Sequence, residues 1–293
     1  MELRGIHVPL ITPFTPDGGL AAHALEALAH AVLDEGAVGL VALGTTAEAA
    51  ALDDDERRTV VEVCTRVCRE RGATLIVGAG GGSDTRRGAA ALQELAGADA
   101  ALVPVPSFSR PGEAGVLAHF EYLAAHSPVP LIIYHIPYRT GQPLGADTLL
   151  RLAALPKVAG VKLAVGAIDQ DTVSLLGAAP EDFAVLAGDD LYLSPLLAMG
   201  AAGGILASAH LATGRFVELV DAWHQGDTIR ARELGHRLAA LAGAAFAEPN
   251  PAVVKGVLHA QGRIPGAAVR LPLLPAGRAS VDHALECLVA LGG

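Results

Sequence analysis

Short apolar runs rich in β-branched residues alternate with longer segments of helical periodicity along most of the chain. The segments AAHALEALAHAVLDEG and DTLLRLAAL, for example, repeat apolar residues at the three- and four-residue spacing of an amphipathic helix. We predict strands at the short runs, at residues 6–10, 39–43, 75–78, 101–103, 131–134, 160–162, 184–187 and 204–207. Eight strand–helix units in one chain predict a (β/α)₈ barrel, the TIM-barrel class of α/β fold.

The main alternative to a barrel is a doubly wound open sheet, but such a sheet more often stops at five or six strands. From about Gly226 the pattern becomes helical only, as in TIRARELGHRLAALAGAAFA and AVVKGVLHAQG. We therefore expect a barrel over residues 1–225 and a C-terminal helical region over residues 226–293.

Composition restricts the partners and the location of the protein. The 293 residues are 52% hydrophobic and 18% charged, which is enough apolar material for a sizeable core. A formal net charge of −10 without a basic stripe argues against nucleic acid or an anionic membrane surface as a partner.

The N-terminus, MELRGIHVPLITPFTPDGG, lacks a signal-peptide layout, and the glycine-broken stretch 196–212 suits a buried strand and helix better than a membrane span. Cys64 and Cys68 are expected to be packed thiols in a reducing cytoplasm.

One lysine ends a predicted buried strand, in the segment GVKLAVG. Of the 21 basic residues, only Lys157, Lys162 and Lys255 are lysines, and the rest are arginines. Arginine keeps its proton in proteins, whereas a buried lysine can lose it and become a nucleophilic amine. The alternative interpretation is a lysine that extends its ammonium to water from the strand end. If buried, Lys162 can form a Schiff base with a carbonyl substrate.

Other polar residues follow neighbouring strands, and the carboxyl ends of barrel strands share one rim. Tyr134 ends the fifth strand and can transfer protons, although an ordinary interior tyrosine is the alternative. Thr45 and Thr46, in LGTTAE, can hold a small carboxylate, although Gly-Thr-Thr is also a common turn sequence. Arg139 can bind a second carboxylate through its planar fork, or it is an exposed loop arginine.

The sequence does not indicate a metal or a bound cofactor. Asp189 and Asp190 follow the seventh strand, but no histidine stands at ligand spacing beside them, so we expect a solvated or loop-ordering role. The glycine-rich segment GAGGGSDT at 78–85 lacks the context of a dinucleotide-binding fingerprint. No Gly-Lys-Ser/Thr phosphate loop is present either.

Five segments of the chain together resemble one enzyme family. They are GTTAEAAALDDDER, YHIPYRTG, GVKLAVG, LAGDDLYLSPLLAMGAAGGI and EPNPAVVKGVLHAQG. Their order and spacing are similar to those of the dihydrodipicolinate synthases, which belong to the N-acetylneuraminate lyase superfamily of pyruvate-handling class I aldolases. The resemblance covers nearly the whole chain and implies a barrel with a helical C-terminal part, assembled as a homo-oligomer, a dimer or more usually a tetramer.

The resemblance also implies the roles of the site residues. Lys162 would form the Schiff base with pyruvate or another 2-oxo acid, and Tyr134 would be the general acid and base. Thr45 would join the proton relay, and the enamine on Lys162 would attack an aldehyde. The residues expected to bind substrate are Gly44, Thr46, Arg139 and Ile205.

One departure from the family leaves the aldehyde open. The synthases usually carry two tyrosines where this chain has Ser107 and Phe108, and the second completes the relay in a neighbouring subunit. Phenylalanine has no hydroxyl, so that relay is interrupted here. Tyr138 stands where the synthases often have a small residue. The synthase reaction with aspartate semialdehyde therefore stands beside two alternatives. One is a related aldolase or dehydratase that acts on a sugar acid or a 4-hydroxy-2-oxo acid, and the other is a non-catalytic barrel that binds 2-oxo acids.

Overall fold

The computed structural model of the chain describes residues 3–79, 83–95 and 97–292. Within the glycine-rich segment at 78–85, residues 80–82 lie outside the described residues, so the expectation that this segment is not a nucleotide site stays a prediction. Over the described part of the chain, no helix combines the length and the hydropathy that crossing a membrane requires.

Eight strands close into a barrel in chain order, which confirms the (β/α)₈ prediction. The strands run parallel to their neighbours from the first to the second and from the third through to the eighth, as this fold requires. They are β1 Gly5–Pro9, β2 Gly39–Ala42, β3 Thr74–Gly78, β4 Ala100–Pro104, β5 Leu131–His135, β6 Val158–Leu163, β7 Ala184–Ala187 and β8 Gly203–Ile205.

Twelve α-helices lie in the described residues, between the strands and after β8. They are α1 Ala22–Asp34, α2 Asp54–Arg71, α3 Thr85–Gln93, α4 Gly112–His126, α5 Pro137–Thr140, α6 Ala146–Ala153, α7 Gln170–Ala178, α8 Leu193–Ala198, α9 Ala209–His224, α10 Thr228–Ala245, α11 Ala252–Ala260 and α12 Arg278–Ala290. The two C-terminal segments predicted to be helical correspond to α10 and α11. The segment 196–212 contains β8 and parts of α8 and α9, as expected.

The strands are buried on both faces, which explains their uninterrupted apolar sequence. Every residue of β2 and β5 is buried. A strand in a barrel packs against interior side chains on one face and against helices on the other, so polar residues do not alternate along it.

Local sequence sets the ends of α2. Asp53 and Glu56 form a capping box at its N-terminus, and Gly72 ends the helix with φ 63°. Cys64 and Cys68 are buried on this helix, and burial raises the pKa of the Cys64 thiol well above its usual range. Both are packed thiols, as predicted.

Strand ends differ from the prediction by one or two residues. Strands β5 and β6 each continue one residue beyond Tyr134 and Lys162. Strand β8 ends at Ile205 and not at residue 207, because the chain turns at Ser208 into α9. The backbone N–H of Leu206 still donates to the carbonyl of His7, so pairing with β1 continues one residue past the strand.

The chain divides into two compact units. The first unit contains Met1–Arg4 and Ile76–Gly204, and the second contains Gly5–Leu75 and Ile205–Gly293. The boundary between residues 225 and 226 predicted from the sequence is a different kind of division, between barrel and appended helices, and it stays a proposal.

A buried ion pair joins α11 to the segment after β2 within the second unit. The Lys255 ammonium, fully buried, donates to Glu48 Oε1 at 2.5 Å and to the carbonyl of Ala268 at 2.9 Å. The other Glu48 oxygen accepts from the backbone N–H of Arg270 at 2.7 Å. The ring centroid of Phe14 lies 4.0 Å from the Lys255 ammonium. Both charges therefore have partners in a buried site, where a lone charge is costly.

We expect Lys255→Met to lower the free energy of unfolding by about 3–5 kcal/mol, because it leaves the Glu48 carboxylate buried without its ion-pair partner. The double variant Lys255→Met/Glu48→Gln should lose clearly less, because no unpaired charge remains. Urea unfolding followed by circular dichroism measures both. Arg278→Met is the matched control, since it breaks an exposed pair with Asp282 and should cost at most about 0.5 kcal/mol. A double variant less stable than Lys255→Met would contradict this account.

Candidate active site

Lys162 lies on β6 with its side chain buried, at 5% exposure. Its backbone pairs in register with Tyr134 on β5 and with Leu186 on β7. The lysine therefore does not extend its ammonium to water, and the alternative interpretation from the sequence is wrong. A Cβ on Gly188 would lie 2.9 Å from Cγ of Lys162, so the glycine leaves room for the lysine stem.

Burial lowers the pKa of Lys162 to about 8. The negative charges of Asp190 and Asp189 act in the opposite direction and raise it, while the positive charge of Arg139 lowers it further. With a pKa near 8, Lys162 is a free amine in about a tenth of the molecules at neutral pH. An ordinary exposed lysine has far less free amine there, and free amine is the form of lysine that can add to a carbonyl group.

Tyr134 is an aromatic partner of this amine. It is 6% exposed, and the centroid of its ring lies 4.5 Å from Nζ of Lys162. The matching register of β5 and β6 places the two side chains on the same face of the barrel wall. A tyrosine beside a buried amine is a candidate general acid and base for imine chemistry.

Arg139 lies on the short helix α5, directly after β5. Its side chain is exposed, and its guanidinium lies 5.8 Å from the ring centroid of Tyr138, which is also exposed. Gly141 ends this helix with φ 72°, a conformation that favours glycine. The charge of Arg139 affects the pKa of Lys162, so the two cations are near each other and the arginine is available to an anionic group.

Asp189 orders the loop that follows β6. Its Oδ2 accepts from the backbone N–H of Gly166 at 2.7 Å, and the Tyr192 hydroxyl donates to the Gly166 carbonyl at 2.9 Å. Burial raises the pKa of Asp189, while the Gly166 N–H and the charges of Lys162 and Arg139 lower it. This is the loop-ordering role predicted from the sequence.

Asp190 influences the pKa of Lys162, which the sequence did not predict. It is 5% exposed, and its charge is the largest influence that opposes the lowering of the Lys162 pKa. In the described part of the chain, no group of three histidine, cysteine or acidic residues is placed to hold a metal ion.

The Gly-Thr-Thr turn after β2 lies in the second unit. Thr45 is exposed, and Thr46 is buried in a 3₁₀ turn that begins at Thr45. The amide Nδ2 of Asn250 donates to the Thr46 hydroxyl oxygen at 2.9 Å. Thr46 therefore keeps its own hydroxyl hydrogen for another acceptor. Asn250 was missed in the sequence because only folding brings the EPNP segment to this turn.

The other predicted residues take the following places. Gly44 is buried immediately before the turn, and Ile205 ends β8 and is fully buried. Phe108 is fully exposed with φ 71°, and the Ser107 carbonyl accepts a hydrogen bond from the Ser83 hydroxyl. Within the first unit the structure thus brings together Lys162 and Tyr134, with charges from α5 and from the segment after β7.

Comparisons with known proteins agree with this geometry. The model of the dihydrodipicolinate synthetase family matches residues 2–289. A 4-hydroxy-tetrahydrodipicolinate synthase of Neisseria gonorrhoeae is 38% identical over 290 residues, which cover 97% of this chain and 98% of the relative. The solved structure of dihydrodipicolinate synthase from Thermotoga maritima has a TM-score of 0.94 and 30% identity, with 100% of this chain and 99% of that chain covered. The chloride-inhibited enzyme from Acinetobacter baumannii, solved in complex with pyruvate, has a TM-score of 0.92 and 33% identity, with 99% of each chain covered.

A family match over nearly the whole length, a relative at 38% identity and the shared barrel all agree with the motifs and with the buried lysine. The chain belongs to the dihydrodipicolinate synthetase family.

Proposed function

We propose that this chain is a 4-hydroxy-tetrahydrodipicolinate synthase, a lyase that condenses pyruvate with aspartate semialdehyde through a Schiff base on Lys162. The observation that carries the proposal is the buried amine of Lys162, with its lowered pKa, beside the ring of Tyr134. The reaction named for the curated relatives needs such an amine, because an ammonium cannot add to a carbonyl group.

The chemistry follows from this amine. The nitrogen of Lys162 adds to C2 of pyruvate, and loss of water leaves an imine. The imine withdraws electrons from the neighbouring methyl group, so a proton leaves C3 and an enamine forms. The C3 of the enamine then attacks the aldehyde carbon of the acceptor. Tyr134 would carry protons in these steps, with Thr45 in the same relay.

The carboxylate of pyruvate would be held by the turn after β2. Gly44 and Thr46 belong to this turn, and the carboxyl ends of barrel strands are where such sites are built. Because Asn250 donates to the Thr46 oxygen, the Thr46 hydroxyl would donate its own hydrogen to the carboxylate. Asn250 is thus proposed as a positioning residue, and Ile205 as an apolar wall.

Arg139 would receive the carboxylate of the acceptor. An exposed guanidinium near the reactive amine can bind a carboxylate through two parallel hydrogen bonds. An acceptor with a carboxylate a few bonds from its aldehyde, as in aspartate semialdehyde, matches this arrangement.

A second candidate is an aldolase of the same family that acts on a sugar acid or a 4-hydroxy-2-oxo acid. The observation that favours it is Phe108, which has no hydroxyl for the relay that the resemblance implies. Tyr138, at a position where the resemblance implies that synthases often have a small residue, would also change the acceptor side of the site.

We also propose that the enzyme works as a homo-oligomer, a dimer or a tetramer, in the cytoplasm and without a bound metal or cofactor. Phe108 supports the assembly, because its apolar side chain is fully exposed in a single chain. The resemblance to the synthases implies that this position contacts a neighbouring subunit.

Borohydride reduction in the presence of pyruvate tests the Schiff base. We expect a reduced pyruvyl adduct on the peptide that contains Lys162, seen by mass spectrometry, and no adduct in Lys162→Arg. An adduct on Lys157 or Lys255, or one that survives in Lys162→Arg, would remove Lys162 from this role.

Arg139→Ala tests the binding of the acceptor. This variant should keep the adduct and lose roughly tenfold to a hundredfold in kcat/KM for aspartate semialdehyde, which is the contribution of a charged hydrogen bond.

The pH dependence of trapping tests the lowered pKa. Deprotonation produces the reactive amine, so the initial rate of adduct formation should rise through about pH 8 and level off above it. Asp190→Asn removes a negative charge that raises this pKa, and its midpoint should move to lower pH. Glu181→Gln, at an exposed position, is the control and should leave the midpoint unchanged. A midpoint that moves to higher pH in Asp190→Asn would refute the assignment.

Phe108→Tyr tests the interrupted relay. If the natural acceptor is aspartate semialdehyde, the added hydroxyl should raise kcat by about tenfold or more, which is a modest share of a general acid–base contribution. Phe108→Leu is the control, and light scattering after gel filtration reports whether each variant keeps the same assembly. An unchanged or lower kcat in an intact assembly would mean that the native reaction does not use this position, in favour of the second candidate.

A further inference from the structure

A cavity of about 390 Å³ lies in the first unit, away from the reactive lysine. Its lining includes His135 from β5 and Leu163 from β6, each one residue after Tyr134 and Lys162. Successive residues of a strand point to opposite faces, so this cavity lies on the helix side of the barrel wall. Its size is in the range of small-molecule sites.

One part of the cavity wall is apolar. It consists of aliphatic side chains from β6, from helices α6 and α7, and from the loops beside them, namely Leu144, Leu149, Leu163, Val165 and Leu175. This surface can cover a short hydrocarbon chain. The polar contacts for the rest of a ligand must come from other residues.

The polar part of the wall carries three carboxylates, Glu113, Asp169 and Asp171, and none of the described lysines or arginines lines the cavity. Among the described residues, no basic side chain forms an ion pair with any of the three. All three residues are solvent-exposed, and the described wall presents their negative charge without a protein counter-charge.

Backbone hydrogen bonds hold each carboxylate in place through one oxygen. Oε1 of Glu113 and Oδ1 of Asp171 accept from consecutive N–H groups at the start of α6, and Oδ1 of Asp169 caps α7. The donors are the N–H groups of Gly145 at 2.6 Å, Ala146 at 3.0 Å and Thr172 at 2.8 Å. In each case, the second oxygen is left for another donor.

His135 provides an independent observation. Its side chain is 2% exposed and lines the cavity, and its buried Nδ1 has no hydrogen-bond partner among the described residues. Burial lowers its pKa to about 4, against the opposing influence of the three carboxylates, so the ring is neutral near pH 7. A buried, neutral imidazole on the cavity wall is a polar group that a donor in the cavity can contact through the part of the ring that lines it.

We propose that this cavity binds a small organic cation, a primary ammonium on a short apolar chain. Its three N–H groups would donate to the free oxygens of Glu113 and Asp171 and to the neutral ring of His135, with the charge of Asp169 nearby, and the hydrocarbon would pack on the leucines.

Calorimetric titration with butylammonium chloride, in phosphate buffer without other amines, tests this site on the full-length protein. We expect a dissociation constant of about 1 mM or tighter, which a ligand of this size can reach. The neutral isostere 1-butanol should bind at least about tenfold more weakly, because it brings no charge to the carboxylates. Equal binding of the two compounds, or no detectable binding of butylammonium at about 10 mM, would overturn the proposal.

A charge-removing variant locates the binding. Glu113→Gln/Asp171→Asn keeps an amide oxygen for each backbone N–H and removes two charges, so the fold should be retained and the affinity for butylammonium should fall at least about tenfold. The matched control is Glu181→Gln/Asp182→Asn, which removes two exposed charges elsewhere and should bind like the unmodified protein. Equal losses in both variants would mean that the ligand responds only to net charge, and the site would be rejected.

Discussion

The exclusion of water from the Lys162 amine is the constraint on which the candidate active site depends. Burial alone would make the ammonium too costly to keep, and the carboxylates after β7 limit that cost without removing it. The result is a pKa of about 8, at which free amine is present near neutral pH. The contact with the Tyr134 ring and the missing side chain at Gly188 serve the same requirement, since both let the lysine lie within the wall.

The period of two along a strand gives the barrel wall two different faces at the same height. Tyr134 and Lys162 share one face, and His135 and Leu163 share the other. Strands β5 and β6 therefore hold a buried amine on one side and a cavity with carboxylates in its wall on the other. Each acidic residue of that cavity also holds the start of a helix, so charge and local structure are coupled there.

Charge burial organises the second unit in a similar way. Glu48, three residues after Thr45, is neutralised by Lys255 of α11, and Asn250 holds the adjacent Thr46 hydroxyl. A Gly-Thr-Thr turn without such contacts would be free to adopt several conformations. Lys255 of α11 and Asn250, just before this helix, therefore contact the turn directly.

By itself, the sequence determined the barrel and the position of every strand within two residues, because periodicity, length and side-chain type are local properties. It also contained the family motifs. The tertiary structure alone decided that Lys162 is buried, that Asp190 and Arg139 oppose each other in setting its pKa, and that Asn250 meets Thr46. These depend on distances between residues far apart in the chain, and on the water that packing removes, neither of which a local pattern records.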